Sequence, residues 1–169
     1  MIARTRSGPP RWTKYERPGS GPSLRQAAEL LDAYAADPRA ELDRLVGAVA
    51  FTALIGSADA HGKNLALLHP DPESVSLAPL YDTVPTLLWP RLRDRAAMTI
   101  GGQPMLRDVT VADIVREAAR WSHSPERAQR VARETVELAL DAVEKGAIPG
   151  DGKLAKLVRG RGEKLLASA

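Results

Sequence analysis

The feature that most constrains this chain is a run without a single charge, Leu45-Val46-Gly47-Ala48-Val49-Ala50-Phe51-Thr52-Ala53-Leu54-Ile55. It passes directly into Gly56-Ser57-Ala58-Asp59-Ala60-His61-Gly62-Lys63-Asn64. Apolar residues fall on nearly every face of the first segment, the pattern of a helix enclosed in a domain core. An enclosed helix fixes whatever follows it. Asp59, His61, Lys63 and Asn64, delivered from its end, form a candidate site on a rigid support.

A second cluster lies at Leu77-Ala78-Pro79-Leu80-Tyr81-Asp82, where Asp82 is the one acid among apolar neighbours. Leu65-Ala66-Leu67-Leu68-His69 reads as a short buried strand, Pro70-Asp71-Pro72-Glu73 as a turn, and Val75-Ser76-Leu77-Ala78 as the returning strand. Two strands of about five residues, each advancing ~3.3 Å per residue, bring the chain back to its start and set Asp82 beside Asn64. An Asp, an Asn five positions on and a second Asp across a hairpin suit phosphoryl transfer on magnesium. Asp59 accepts a hydroxyl proton, Asn64 and Asp82 give hard oxygen ligands to a cation bridging nucleotide phosphates, and Lys63 neutralises phosphate charge. The competing reading of the first cluster alone is a turn whose polar groups satisfy one another.

Around these clusters the pattern is helical. Ser23 caps a helix carrying Leu24, Ala27, Ala28, Leu31 and Tyr34, which stops near Asp37; Asp37-Pro38 starts a second that runs to about Ile55. Ala96 to Ile100 reads as a third strand before Gly101-Gly102, a pair most simply taken as a turn. Thr110 with Asp113 opens a helix to about Trp121, and Ser124-Pro125 begins a long one with Ala128, Val131, Ala132, Thr135, Leu138, Ala139 and Ala142 on its apolar side, stopped by Gly146. A last helix, about Gly152 to Leu166, carries Leu154, Leu157, Val158, Leu165 and Leu166, with Lys153, Lys156, Arg159, Arg161 and Lys164 elsewhere; Gly160 and Gly162 weaken it. Arg116, Arg120, Arg127, Arg130 and Arg133, interleaved with Glu117, Glu126, Glu134 and Glu137, read as a solvated helix face. His69 and His123 have no metal-ligand spacing and read as structural or surface residues. The fold expected is mainly α with a small β-hairpin at the site.

Ser-Ala-Asp-Ala-His-Gly-Lys-Asn, then Leu-Ala-Pro-Leu-Tyr-Asp, then Ala97-Met98-Thr99-Ile100-Gly101-Gly102, in this order and spacing, resembles the C-terminal lobe of HipA-like serine/threonine kinases. These are the toxin halves of bacterial toxin–antitoxin pairs. Lys14-Tyr15-Glu16 is also similar to that family, and the resemblance runs from about Lys14 to the C-terminus. It implies a protein-kinase-like C-lobe, with Asp59 as catalytic base, Asn64 as the loop metal ligand and Asp82 as the metal-binding acid. His61 and Lys63 match positions of the same motif. The cofactors implied are ATP and Mg2+. The partners implied are a HipB-like antitoxin and a protein substrate such as an aminoacyl-tRNA synthetase, with DNA reached through the antitoxin. The family loop usually opens with Asn where this chain has Ser57, which is expected to cap the turn in its place.

The chain has 169 residues, in the range of one domain, and a formal charge of 24 − 21 = +3, too mild to argue for nucleic acid by itself. The absence of Cys excludes disulfides, thiolate zinc sites and a cysteine nucleophile. The opening lacks an apolar signal region and no apolar run approaches the roughly 18 residues of a membrane span, so a cytoplasmic protein is expected. Residues 1–22, rich in Pro, Gly and Arg, read as an irregular lead-in that Trp12 and Tyr15 pin to the body, ahead of the kinase-like domain at 23–169. Only 58 residues precede Asp59, with no strand-borne lysine and no glycine-rich nucleotide loop, so the N-lobe of a complete kinase is not expected here. A gene fragment, a split kinase completed by a separate chain, and a non-catalytic interaction module remain open. A metal-dependent phosphoesterase on Asp59, His61 and Asp82 is disfavoured by the lack of a second ligand cluster.

Overall fold

The computed structural model describes residue 16 and residues 21–147 and 152–167. Most of the lead-in, with Trp12, Lys14 and Tyr15, lies outside the described residues. Ser23 opens α1 (Leu24–Tyr34) with a capping box: its hydroxyl accepts from the Gln26 N–H while the Gln26 side chain accepts from the Ser23 N–H. The Asp37 carboxylate accepts from the Ala40 N–H and Pro38 occupies the first turn, so α2 (Pro38–Ile55) begins where the sequence places it. Leu45, Val46, Ala50, Ala53 and Leu54 of α2 are wholly buried. The helices α1, α3 (Val111–Ala119), α4 (Pro125–Glu144) and α5 (Lys153–Ala167) all pack on it. The charge-free run is therefore the axis of the core.

Two small antiparallel sheets flank this bundle. In the first, β1 (Leu67–Leu68) pairs with β2 (Ser76–Leu77), Leu67 opposite Leu77. Both strands are shorter than the sequence suggests, and β1 is not buried: Leu67 is half-covered and Leu68 exposed, because alternate residues of a strand face opposite ways and only one face meets the core. The Glu41 carboxylate of α2 accepts the Leu77 N–H at 2.6 Å and holds β2 to the bundle. In the second sheet, β3 (Arg95–Ile100) turns through Gly101 and Gly102, both at positive φ (59° and 87°), into β4 (Gln103–Met105). This is the backbone of a type I′ turn. The sequence reading missed β4, where Pro104 removes a ladder donor. Glu16 reaches β3, its N–H donating to the Ala97 carbonyl and its carboxylate accepting from the Thr99 N–H.

Three readings of which side chains are buried are corrected by the structure. Glu117 is buried, one carboxylate oxygen accepting from the Gly101 N–H at 2.9 Å and the other from the Trp121 indole at 3.2 Å, so it ties the β3–β4 turn to α3. Leu138 is 70% exposed; the buried line of α4 is Ala128, Ala132, Val136 and Val143, and Leu138 lies ~200° around the helix from Val136. Arg161 is 6% exposed. Its guanidinium donates to the carbonyls of Ala53, Leu106, Arg107 and Val109, anchoring α5 to α2 and to the turn before α3. Gly162 is required beside it, since a Cβ there would sit 2.8 Å from Leu140. Among the described residues, no helix is long and apolar enough to cross a membrane.

Asp43 clamps α2 to the start of α4: it meets buried His123 at 2.9 Å and accepts from the Arg127 guanidinium. Burial alone would raise the Asp43 pKa, but the hydrogen bonds and charges of Arg127 and His123 outweigh it and hold the carboxyl below its ordinary value. Asp43→Asn should cost about 1–3 kcal/mol at neutral pH by urea denaturation. A depressed folded-state pKa stabilises above the unfolded value of ~3.9 and loses that contribution as pH falls through the folded value. The gap between wild type and Asp43→Asn should thus shrink below about pH 4, and a gap unchanged at pH 3 would refute the clamp.

Candidate active site

The site begins where α2 stops. Gly56 takes the left-handed conformation (φ 73°), and a Cβ on it would lie 2.9 Å from the Leu87 side chain, so both the turn and the contact require glycine. Beyond it the loop is braced from a distant segment, the turn Thr86–Leu88. The Thr86 hydroxyl accepts the Ala58 N–H at 2.8 Å and donates to the Gly56 carbonyl at 3.1 Å, and the Leu87 N–H donates to the same carbonyl. On the other side, the Ala97 N–H of β3 donates to the Ala58 carbonyl at 2.9 Å. Ser57 does not act as the expected cap: its hydroxyl is buried and has no hydrogen-bond partner among the described residues. Thr86, a lone polar residue in an apolar stretch, takes that part. Sequence reasoning missed it, although Asp82 was singled out on the same kind of signal.

Within the loop, the His61 N–H donates to the Asp59 carbonyl and the Asn64 N–H to the His61 carbonyl, both at 2.8 Å, which leads into the turn Gly62–Asn64. This alternates the side chains. Asp59 and Lys63 are exposed, whereas His61 and Asn64 are each 7% exposed. The hairpin returns the chain as expected: the Asn64 amide nitrogen lies 3.3 Å from both the Asp82 carbonyl and an Asp82 carboxylate oxygen. The Tyr81 hydroxyl donates to the Lys63 carbonyl, a second tie between the two clusters. Asp82 sits at φ 53°, a left-handed conformation that non-glycine residues seldom adopt and that recurs at functional sites.

Ser57, His61, Asn64 and Asp82 line a cavity of about 30 Å3, with Ala97 and Met98 among its apolar walls. That is room for a water molecule. Among the described residues no three His, Cys, Asp or Glu side chains gather as a metal-binding group. The donor set at the hairpin is instead Asn64 with Asp82. The Asn64 amide nitrogen faces Asp82, and its side-chain oxygen remains available as an acceptor. One carboxylate and one carbonyl-type oxygen fit magnesium, which takes few protein ligands and keeps several waters.

The family model for the HipA-like C-terminal domain matches residues 3–143. The chain belongs to this family. A Sinorhizobium fredii relative named "Putative kinase Y4mE" is 38% identical over 102 residues, spanning 60% of this chain and 24% of the relative. A second, "Putative kinase Y4dM" from the same organism, is 29% identical over 121 residues, spanning 70% of the chain and 30% of the relative. Among solved structures, HipA in the Shewanella oneidensis MR-1 complex of HipA, HipB and operator DNA superposes with a TM-score of 0.73 at 21% identity. That match covers 92% of this chain and 39% of HipA. The HipA-like domain thus shares its fold with HipA and spans well under half the length of each of these proteins.

The brace on the HipA-like loop can be tested without altering shape. Thr86→Val removes the acceptor of the buried Ala58 N–H and should cost about 1–3 kcal/mol in urea denaturation. Amide exchange at Ala58 should accelerate, and Thr86→Ser should retain most of the stability. Wild-type stability and exchange in the valine variant would show that the hydroxyl is dispensable.

Proposed function

We propose that this chain is the kinase lobe that places a serine or threonine hydroxyl of a protein against the γ-phosphate of ATP, with a separate lobe covering the nucleotide. The observation that carries the reading is the Asn64–Asp82 pair, two hard-oxygen side chains held together across the hairpin beside the loop that presents Asp59. Magnesium bound there would neutralise phosphate charge. Asp59, exposed on a loop braced from both sides, is positioned to accept the substrate hydroxyl proton on its carboxylate. Lys63, exposed with its carbonyl held by Tyr81, is placed to offset phosphate charge. His61, inside the wall, acts as a spacer whose main chain couples Asp59 to Asn64. A translation component such as an aminoacyl-tRNA synthetase is the target class that the family suggests.

A second reading is favoured by the kinship with HipA, whose structure was solved with HipB and operator DNA. In it, the lobe is an interaction module for an antitoxin. Antitoxin binding that survives both Asp59→Asn and Asp82→Asn, without nucleotide binding, would select this reading.

The primary reading is tested by titrating ATP with magnesium into the purified chain by calorimetry. Binding should require magnesium and weaken at least tenfold, about 1.4 kcal/mol, in Asp82→Asn, while Asp59→Asn binds as wild type. Equal affinity in Asp82→Asn, or no binding at all, would overturn the nucleotide site in this chain.

A further inference from the structure

Ser57 stands where α2 gives way to the catalytic loop, and its N–H is satisfied, donating to the Thr52 carbonyl at 3.1 Å. Its side chain is another matter. The residue is 2% exposed, and its hydroxyl has no hydrogen-bond partner among the described residues. A hydroxyl buried unpaired is costly, and nearly all buried polar groups have a partner, supplied by the protein or by ordered water. Alanine would fill the same place without that cost.

The reason for the serine lies in what it borders. Ser57 lines the cavity of about 30 Å3, and Asn64 and Asp82 line it too, among walls that are mostly apolar. The volume takes one water and excludes a nucleotide or any other organic ligand. Water also matches the lining: it is uncharged, as apolar walls require, and both donor and acceptor, as a lone hydroxyl requires. Asn64 supplies a second partner. It is 7% exposed, its amide nitrogen lies 3.3 Å from an Asp82 carboxylate oxygen, and its side-chain oxygen carries two lone pairs.

We propose that the cavity binds one buried water, which accepts the hydrogen of the Ser57 hydroxyl and donates one of its own to the Asn64 side-chain oxygen. Through this water Ser57 is a positioning residue for Asn64. With its nitrogen turned to Asp82 and its oxygen held by the water, the Asn64 amide has one orientation, and the oxygen keeps a second lone pair for a cation. An amide turned over would offer that cation an NH2 group instead. A group that orients a metal ligand contributes to metal affinity without touching the metal. The consequence for magnesium rests on the phosphoryl-transfer reading, whereas the water and the held amide do not.

Ser57 takes no positive φ, so Ser57→Ala removes the hydroxyl with little else changed, and circular dichroism checks that the fold persists. The sign of its effect on stability is informative. Taking an unpaired hydroxyl out of a core leaves a protein as stable or more so, whereas removing one end of a water bridge lowers the melting temperature. A high-resolution crystal structure of the wild-type chain should show one water about 2.5–3.0 Å from both Ser57 Oγ and the Asn64 side-chain oxygen, and Ser57→Ala should lose it. By NMR relaxation the Asn64 side-chain amide should be less ordered in the variant, and magnesium-dependent ATP affinity should fall about tenfold or more. A wild-type crystal structure without that water, a variant that melts at or above the wild-type temperature, or an Asn64 amide equally ordered in both would overturn the proposal. Equal magnesium-dependent affinity in the two proteins, with the water present, would overturn the positioning role. A wild-type chain that binds no ATP with magnesium overturns the phosphoryl-transfer reading alone, since the crystal structure and the amide decide the water by themselves.

Discussion

The Thr86 hydroxyl is the interaction on which the site depends. It accepts one main-chain donor and gives one hydrogen to a carbonyl, and those groups belong to Ala58 and Gly56, the first turn beyond α2. A buried loop would otherwise carry unpaired backbone groups, each costing roughly as much as a lost hydrogen bond. With Thr86 on one side and β3 on the other, the loop has one low-energy path. Asp59 can then stand exposed on a loop whose backbone is held from both sides.

The same economy recurs in the acids. Glu41, Asp43 and Glu117 all lie on helices, and each reaches off its own helix to hold something that lacks a partner: the edge of β2, the His123 and Arg127 pair, and the β3–β4 turn. Short two-stranded sheets are marginal by themselves, so these contacts to the helical bundle are what keep both hairpins in place. Arg161 does the converse from α5, supplying donors to three carbonyls around the turn before α3 and to that of Ala53 in α2. Buried charge in this domain is used at the joints between elements, while the interior of α2 remains apolar.

The turn Thr86–Leu88 consequently has two faces of interest. Toward the core it braces the candidate active site, and toward α5 its Leu87 and Leu88 lie beside Leu157 and Gly160.

The sequence by itself determined the bundle: Ser23, Asp37, Thr110 and Ser124 each cap the helix predicted from them, and the charge-free run became the enclosed helix. These are local signals, readable because a cap and its helix lie within a few residues of each other. The hairpin return that joins Asn64 to Asp82 was legible for a similar reason, since a short turn leaves little choice of where the chain goes. What only the tertiary structure decided were the pairings across long separations: Thr86 with Gly56 and Ala58, Arg161 with Ala53, Glu117 with Gly101. A polar residue in an apolar stretch announces that it has a partner but not which one, and Leu138 on the outside of α4 shows that periodicity alone misjudges a face by a fraction of a turn. Burial of a charged side chain depends on whether distant backbone groups happen to need it, and that is settled only when the elements pack.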